Sequence, residues 1–241
     1  MGLTIHYSLR ASTKSPRQAL ALIEKLRSRA LDLPFKEVGE ISELCGGDCN
    51  VDQRGQDDPL RWLLIQATES VEDPQHKGYS YHVPPTHVIA FTTWPGEGCE
   101  AANFGLCRFP SQMEVQTPGR RWHPRTIRTG LSGWRWGSFC KTQYASNARC
   151  GGVQNFLRCH LSVIRMLEHA QELGILAHVS DEGDYWEKRD IEALAREVGE
   201  WNEHLAGLAG QLKDLVGDQV VAAIAHYPDF EHLEAAGRRK D

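Results

Sequence analysis

The chain has 241 residues and a net charge of −5, with 27 Lys and Arg against 32 Asp and Glu. Its 41% hydrophobic and 24% charged residues are typical of a folded globular protein and exclude a chain kept disordered by low hydrophobicity. The negative charge offers no general attraction to an anionic membrane or to nucleic acid, so we expect no membrane partner and regard nucleic acid as an unfavoured one.

The first third of the chain predicts a strand, a helix and two further strands. Residues 3–9 alternate apolar and polar side chains, which is the period of a half-buried strand. Ser15 is a typical N-cap residue, and the apolar residues that follow it recur at helical spacing, so we predict a helix over 16–34. Two strand-like runs follow at 35–44 and 60–68.

The middle of the chain predicts mainly β structure and then a second strand, helix and strand. Residues 79–109 are rich in strand-forming types, whereas 110–130 have the Pro, Arg and Thr content of a long surface loop. A strand is predicted at 134–144, an amphipathic helix at 152–173 and a short strand at 175–179.

These elements indicate an α+β protein with a mixed or antiparallel sheet. The two strand, helix and strand sequences favour ferredoxin-like βαβ elements, and their recurrence favours a duplicated arrangement. We predict an α+β core over 1–180 and a C-terminal helical extension over 181–241 that packs on it as one compact unit.

The extension contains a long amphipathic helix. Asp184 begins a predicted capping box, and apolar residues from Ile191 to Leu215 then recur at spacings of three and four. This helix is expected to lie across the sheet of its own domain. The alternative is a homodimer seam, so the sequence allows a monomer or a homodimer through Ile191 to Leu215.

The cysteine content favours a reducing compartment. The chain has seven cysteines, and its first residues do not resemble a signal peptide. We therefore expect a cytoplasmic protein whose cysteines are free thiols or metal ligands.

Residues 79–160 concentrate the side chains that build binding sites, namely Trp, Cys, His and Gly. A Gly-rich turn surrounds Cys99, and a basic segment with an aromatic residue covers 120–128. Its arginines either recognise a ligand or pair with the protein's own carboxylates. The candidate ligand-binding residues are Glu97, Cys99, Arg120, Arg121, Trp122, Arg125, Trp134 and Trp136.

The metal-binding signal is weak. Cys45 and Cys49 form a CxxxC pair, and His82 and His87 form an HxxxxH pair, but neither spacing is diagnostic of zinc. These four residues are the candidate metal ligands. No motif in the sequence requires a cofactor, and none identifies one.

Cys140 and His160 are the candidate catalytic pair. His160 falls on the apolar face of its predicted helix, so it should point inward and Cys159 outward. The alternatives are a buried structural thiol and a core histidine. Cys99 is a weaker nucleophile candidate because neighbouring carboxylates would raise the pKa of its thiol.

Four common catalytic motifs are absent: the phosphate loop, the dinucleotide-binding glycine motif, the nucleophile elbow and the zinc-protease helix. We therefore favour a protein that binds a small molecule or a protein partner through a Trp-, Arg- and Cys-rich face within 79–160. One alternative is a cysteine- or metal-dependent hydrolase or transferase. A second is a nucleic-acid-binding protein that uses the loop from Arg120 to Arg128.

Overall fold

The computed structural model describes residues 3–117, 119, 123–216, 219 and 230–238. The strands of this described part are β1 (Thr4–Ala11), β2 (Glu37–Val38), β3 (Ser42–Cys45), β4 (Glu69–Glu72), β5 (Ser80–Val83), β6 (His87–Trp94), β7 (Ala102–Arg108), β8 (Gln112–Gln116), β9 (Pro124–Arg128), β10 (Trp134–Lys141) and β11 (Leu176–Asp181). The α-helices are α1 (Pro16–Leu31), α2 (Pro59–Ala67), α3 (Gly152–Glu172), α4 (Tyr185–Lys188), α5 (Ile191–Val216) and α6 (Phe230–Gly237).

The main sheet has seven strands, and its order is β11-β1-β10-β7-β6-β2, with β3 also paired to β6. Its described pairings are antiparallel. The expectation of an α+β protein with an antiparallel sheet and a long C-terminal helix is therefore confirmed. The ferredoxin-like arrangement of these elements stays a prediction.

The main core lies on the sheet face that α1 and α3 cover. Alternate residues of β1 are buried there because successive strand side chains point to opposite faces. Tyr7, Phe104 and Phe91 come from three different strands and stack on one another. The ring centroid of Phe104 lies 5.1 Å from that of Tyr7 and 5.9 Å from that of Phe91. The helices contribute residues at helical spacing, among them Ile23, Leu26, Val163 and Leu167.

Helix α2 replaces the strand predicted at 60–68, so that prediction was wrong. The Asp58 carboxylate accepts a hydrogen bond from the Leu60 amide at 2.9 Å, and Pro59 occupies the first turn. These two residues favour the start of a helix, and this preference outweighs the tendency of the continuous apolar run to form a strand. The helix buries Leu63 and Leu64 against the core and leaves its other face outward.

The predicted surface loop at 110–130 is also different, because β8 and β9 form an antiparallel hairpin within it. Val115 and Ile127 are buried on one side of this hairpin, which gives it an apolar face. Arg120, Arg121 and Trp122 lie outside the described residues.

The capping box at Asp184 predicted the start of the long C-terminal helix, but that helix begins later, at Ile191. Asp184 starts only the short helix α4, and Arg189 then takes a left-handed conformation with φ of 55°. Helix α5 follows, and the Asp190 carboxylate accepts hydrogen bonds from the amides of Glu192 and Ala193 at 3.0 and 2.9 Å.

Helix α5 packs on α3 and covers a side of it that the sequence assigned to solvent. Leu194 and Val198 form a buried cluster with Phe156 and Cys159. Cys159 is therefore buried, and the prediction that it points outward was wrong. Further along α5, Leu208, Leu212 and Leu215 are exposed, so the homodimer seam stays a prediction. None of the helices in the described ranges has the length and apolar character needed to cross a membrane.

Candidate functional site

A cavity of about 710 Å³ lies between α2 and the main sheet. Drug-sized ligands typically occupy pockets of ~300–1,000 Å³ whose lining is mostly apolar with a few polar groups. The lining residues are Trp62, Ile65 and Gln66 of α2, Glu100 and Ala101 before β7, Asn103 of β7, and Gly137, Ser138 and Phe139 of β10.

Exposed apolar side chains form the walls of this cavity. Trp62 is 69% exposed, Ile65 43% and Phe139 40%, although all three belong to regular elements packed on the core. Trp62, Ile65 and Gln66 share one face of α2 because residues three and four apart are neighbours on a helix. Large apolar groups that converge on a concave surface indicate a binding site more strongly than isolated exposed ones.

Asn103 lies at the floor of the cavity and is 7% exposed. Its Nδ2 donates a hydrogen bond to Gln66 Oε1, which also accepts one from Ser138 Oγ at 3.3 Å. Within the described part of the chain, Asn103 Oδ1 has no hydrogen-bond partner. A buried acceptor without a partner is costly, so this oxygen is suited to a donor supplied by a ligand.

The backbone of Asn103 is held firmly from behind. Its carbonyl oxygen accepts hydrogen bonds from Tyr7 Oη at 2.7 Å and from Trp136 Nε1 at 2.8 Å. Two buried aromatic residues from β1 and β10 thus fix the strand at this point. The Asn103 side chain is consequently presented on a rigid base, as a specific polar contact requires.

Glu100 gives the rim of the cavity a negative charge. Its carboxylate accepts a hydrogen bond from the Lys141 amide at 3.3 Å, and its own amide donates to the Lys141 carbonyl at 3.0 Å. The side chain is exposed, so its carboxylate can also contact a ligand. The cavity therefore offers acceptors at the floor and at the rim, between apolar walls.

The predicted ligand residues Trp134 and Trp136 are both buried in the main core. Trp136 supports the floor of the cavity through Asn103. Trp134 packs elsewhere, with the His87 ring 5.0 Å away in an edge orientation and the Arg108 guanidinium 5.7 Å from its centroid. Both tryptophans are therefore part of the core, and neither lines this cavity.

The predicted turn residues Glu97 and Cys99 lie in a separate place beside α3. Glu97 forms an ion pair with Lys36. Cys99 is hydrogen-bonded to Cys159, and this contact, followed by burial, raises the pKa of the Cys99 thiol well above its ordinary value. Gly98 has a φ of 78°, and a Cβ there would lie 2.5 Å from the Tyr144 carbonyl oxygen, so the turn requires glycine.

Cys159 is the more acidic thiol of this pair. Its pKa is lowered by the hydrogen bond from Cys99 and by the Arg158 cation, although burial acts in the opposite direction. Arg158 Nη2 lies 3.2 Å from the Cys159 sulfur. From the sequence we expected neighbouring carboxylates to raise the pKa of the Cys99 thiol. In the structure, the contact with Cys159 is the main cause of the raised pKa.

Cys140 and His160 each have other partners. Burial raises the pKa of the Cys140 thiol, with the Glu100 charge acting in the same direction, and the thiol donates to the Glu100 carbonyl at 3.2 Å. His160 Nδ1 lies 2.9 Å from Thr142 Oγ1, and its Nε2 lies 3.3 Å from Asp181 Oδ2. Both ring nitrogens of this buried histidine are therefore engaged without the cysteine.

Arg125 is the described arginine among the candidate ligand-binding residues, and it pairs with Asp73. Gln75 Oε1 accepts a second hydrogen bond from its guanidinium at 3.3 Å, and Tyr81 donates to the same Asp73 carboxylate at 2.8 Å. This network joins the β8–β9 hairpin to the β4–β5 hairpin. Arg125 is thus bound to a carboxylate of its own chain.

Of the four candidate metal ligands, Cys45 and His87 lie together, and Cys49 and His82 are not part of this pair. Cys45 on β3 lies directly opposite His87 on β6. Cys49 is buried and donates to the Leu44 carbonyl at 3.3 Å, and burial followed by the Cys45 charge raises its pKa to about 11. His82 lies on β5, in a different sheet.

Four residues that line this cavity were not predicted from the sequence as site residues, namely Trp62, Gln66, Asn103 and Phe139. Trp62 and Gln66 were assigned to a strand, which hides the fact that they share a helix face. The Asp58 and Pro59 start signal would have revealed that face. Asn103 had no detectable signal, because its importance depends on contacts with distant parts of the chain.

No protein-family model, no curated protein and no solved structure matches this chain.

Proposed function

We propose that this protein binds a flat, mainly apolar small molecule that carries hydrogen-bond donors. The binding site is the cavity between α2 and the main sheet. The observation that carries the proposal is the buried Asn103 Oδ1, an acceptor without a described partner at the floor of an apolar cavity.

The walls favour a flat ring system. Trp62 and Phe139 present exposed aromatic surface, and Ile65 adds an aliphatic one. Aromatic side chains gain both buried area and directional ring contacts when a planar ligand covers them. Covering Trp62 also removes a large apolar side chain from water.

The polar groups favour a ligand that is cationic or neutral at its polar end. Asn103 Oδ1 can only accept a hydrogen bond, and Gln66 Oε1 already accepts two. The Glu100 carboxylate at the rim attracts positive charge and repels negative charge. A cation near the aromatic walls would also gain a cation–π contact.

Three probes that share a naphthalene ring test this preference by calorimetric titration of the full chain. They are 2-naphthylmethylamine, 2-naphthalenemethanol and 2-naphthoate. We expect the amine to bind most tightly, with a dissociation constant of about 0.1–1 mM for a ligand of this size. The alcohol should follow, and the carboxylate should bind most weakly because it brings no donor to Asn103.

The matched variants are Trp62→Ala and Tyr79→Ala, since both remove an exposed aromatic side chain and only Trp62 lines the cavity. Trp62→Ala should weaken amine binding about tenfold or more. Tyr79→Ala should leave it unchanged. Equal affinity for the three probes, or unchanged binding by Trp62→Ala, would overturn the proposal.

We also infer that β10, α3 and β11 form a ferredoxin-like split βαβ unit around β1. Both strands pair antiparallel with β1, and α3 connects them. The unit would support the floor of the cavity, because β1 and β10 supply Tyr7 and Trp136.

A further inference from the structure

A second group of side chains, away from the cavity, has the chemistry of a metal site. Glu43, Cys45 and His87 each offer one ligand atom, and these atoms lie within 4.8 Å of one another. His87 Nε2 is 2.9 Å from Glu43 Oε1. Two of the three are on β3 and one is on β6, so the paired strands bring the group together.

The strand register explains this arrangement. Cys45 and His87 are direct partners in the antiparallel pair, so their side chains emerge on the same face. Glu43 lies two residues before Cys45, and side chains two residues apart on a strand also share a face. The group thus follows from backbone pairing rather than from the orientation of one long side chain.

We propose that Glu43, Cys45 and His87 bind Zn²⁺ at the β3–β6 edge of the sheet. One thiolate, one imidazole and one carboxylate are all common zinc ligands, and a thiolate disfavours Mg²⁺ and Ca²⁺. Metal-to-ligand distances of about 2.0–2.3 Å bring tetrahedral ligand atoms closer together than the observed limit. Small side-chain rotations would close this difference. The fourth position would remain for water or for a small exogenous ligand.

The local charges also favour a cation. The Glu43 carboxylate lies beside the Cys45 thiol and the His87 ring, and a dication between the three ligand atoms would neutralise this negative charge. Arg108 is opposite His87 in the register and acts against binding, but its guanidinium lies over the Trp134 ring.

The surroundings hold His87 in position. Its ring packs edge-on against Trp134 with the centroids 5.0 Å apart. Beyond the end of β3, the Gly46 amide donates to the Thr86 carbonyl at 2.9 Å and keeps the two strands together. Fixed ligand orientation raises metal affinity, because less side-chain freedom is lost on binding.

Co²⁺ is the probe for the test, since a thiolate ligand gives it a sulfur-to-metal charge-transfer band and tetrahedral geometry gives it intense visible bands. The purified full chain, stripped with a chelator, should acquire both features at one Co²⁺ per chain. Cys45→Ser should lose the charge-transfer band. Glu43→Gln should weaken Zn²⁺, measured against a chromogenic chelator, by at least about tenfold.

Cys150→Ser and His82→Ala are the matched controls, because they remove a cysteine and a histidine that lie outside the group. Both should keep the cobalt spectrum. Circular dichroism of metal-free Cys45→Ser and Glu43→Gln should equal that of the wild type, because both side chains are exposed. A wild-type protein without the cobalt bands would overturn the proposal. A band that persists in Cys45→Ser and disappears in Cys49→Ser would do the same.

Discussion

At the scale of single residues, Asn103 connects the core to the cavity. Its backbone carbonyl is held by Tyr7 and Trp136, and its side chain by Gln66. The same contacts that bury this residue also leave Oδ1 without a described partner. A buried acceptor is normally hydrogen-bonded, which is why we propose that Asn103 Oδ1 takes part in ligand recognition.

Tyr7→Phe tests the support behind Asn103. The substitution removes one buried hydroxyl that donates to the Asn103 carbonyl at 2.7 Å. We expect the free energy of unfolding in urea to fall by about 0.5–1.5 kcal/mol, the usual value of such a hydrogen bond. Tyr79→Phe, at an exposed tyrosine, should change it little. Equal losses from both variants would contradict this account of the floor.

At the scale of elements, two glycines set how closely neighbours approach. Gly105 allows β7 to lie against β6, since a Cβ there would be 2.5 Å from Ala90 Cβ and 2.8 Å from the Ile89 carbonyl oxygen. Gly210 does the same for α5 and α6, where a Cβ would be 2.1 Å from the Glu234 carbonyl oxygen. Backbone atoms cannot move aside as side-chain ends can, so both positions exclude a larger residue.

Gly105→Ala should therefore destabilise the sheet. The added methyl group forces β6 and β7 apart, and overpacking of this kind costs about 1–3 kcal/mol. Urea unfolding measures the loss. Gly55→Ala is the control, because nothing lies within 4 Å of a Cβ at that position. If both variants unfold at the same urea concentration, the close approach at Gly105 is not needed for stability.

Gly210→Ala and Gly207→Ala should have opposite effects, although both replace a glycine of the same helix. The first displaces α6 and should lower stability by about 1–3 kcal/mol. The second meets nothing within 4 Å and should raise stability by about 0.5–1 kcal/mol through better helix propensity. Urea unfolding gives the signs, and limited proteolysis reports release of α6. A stabilising Gly210→Ala would contradict the observed packing.

Local patterns predicted most elements but not the site. The alternation over 3–9 and the helical spacing over 152–173 reflect a buried face, and burial is what creates such patterns. The prediction of a strand at 60–68 was wrong because a strand and a buried helix can both be continuously apolar. The sequence predicted Cys45 and His87 as candidate metal ligands. It did not predict Glu43, because only the β3–β6 register brings this residue close to the other two.

At the scale of the whole molecule, buried polar networks join segments that are distant in sequence. Asp181 on β11 accepts hydrogen bonds from the amides of Gly183 and Trp186 at 2.9 and 3.0 Å and contacts His160 on α3. His160 in turn contacts Thr142 after β10. These buried contacts tie the sheet edge to α3 and to the start of the C-terminal helices.

This network predicts acid sensitivity. Burial raises the pKa of Asp181, but the contact with His160 and the two amides outweigh it, so the folded pKa is lowered. The stabilisation is complete above the unfolded pKa of about 3.9 and is lost as the pH falls through the folded value. Urea midpoints should therefore change little through this group from pH 7 to about pH 5 and should fall as the pH is lowered below about 4. Asp181→Asn should be less stable at pH 7 and show a shallower decline, whereas parallel curves would refute this assignment.

The cavity gives the most direct test of the central claim, which is ligand binding at Asn103. A crystal structure of the full chain with 2-naphthylmethylamine should show the ring in contact with Trp62 and Phe139. Its amine nitrogen should lie within hydrogen-bond distance, about 2.7–3.2 Å, of Asn103 Oδ1. A vacant cavity at saturating probe, or a probe bound only at another surface, would contradict the claim.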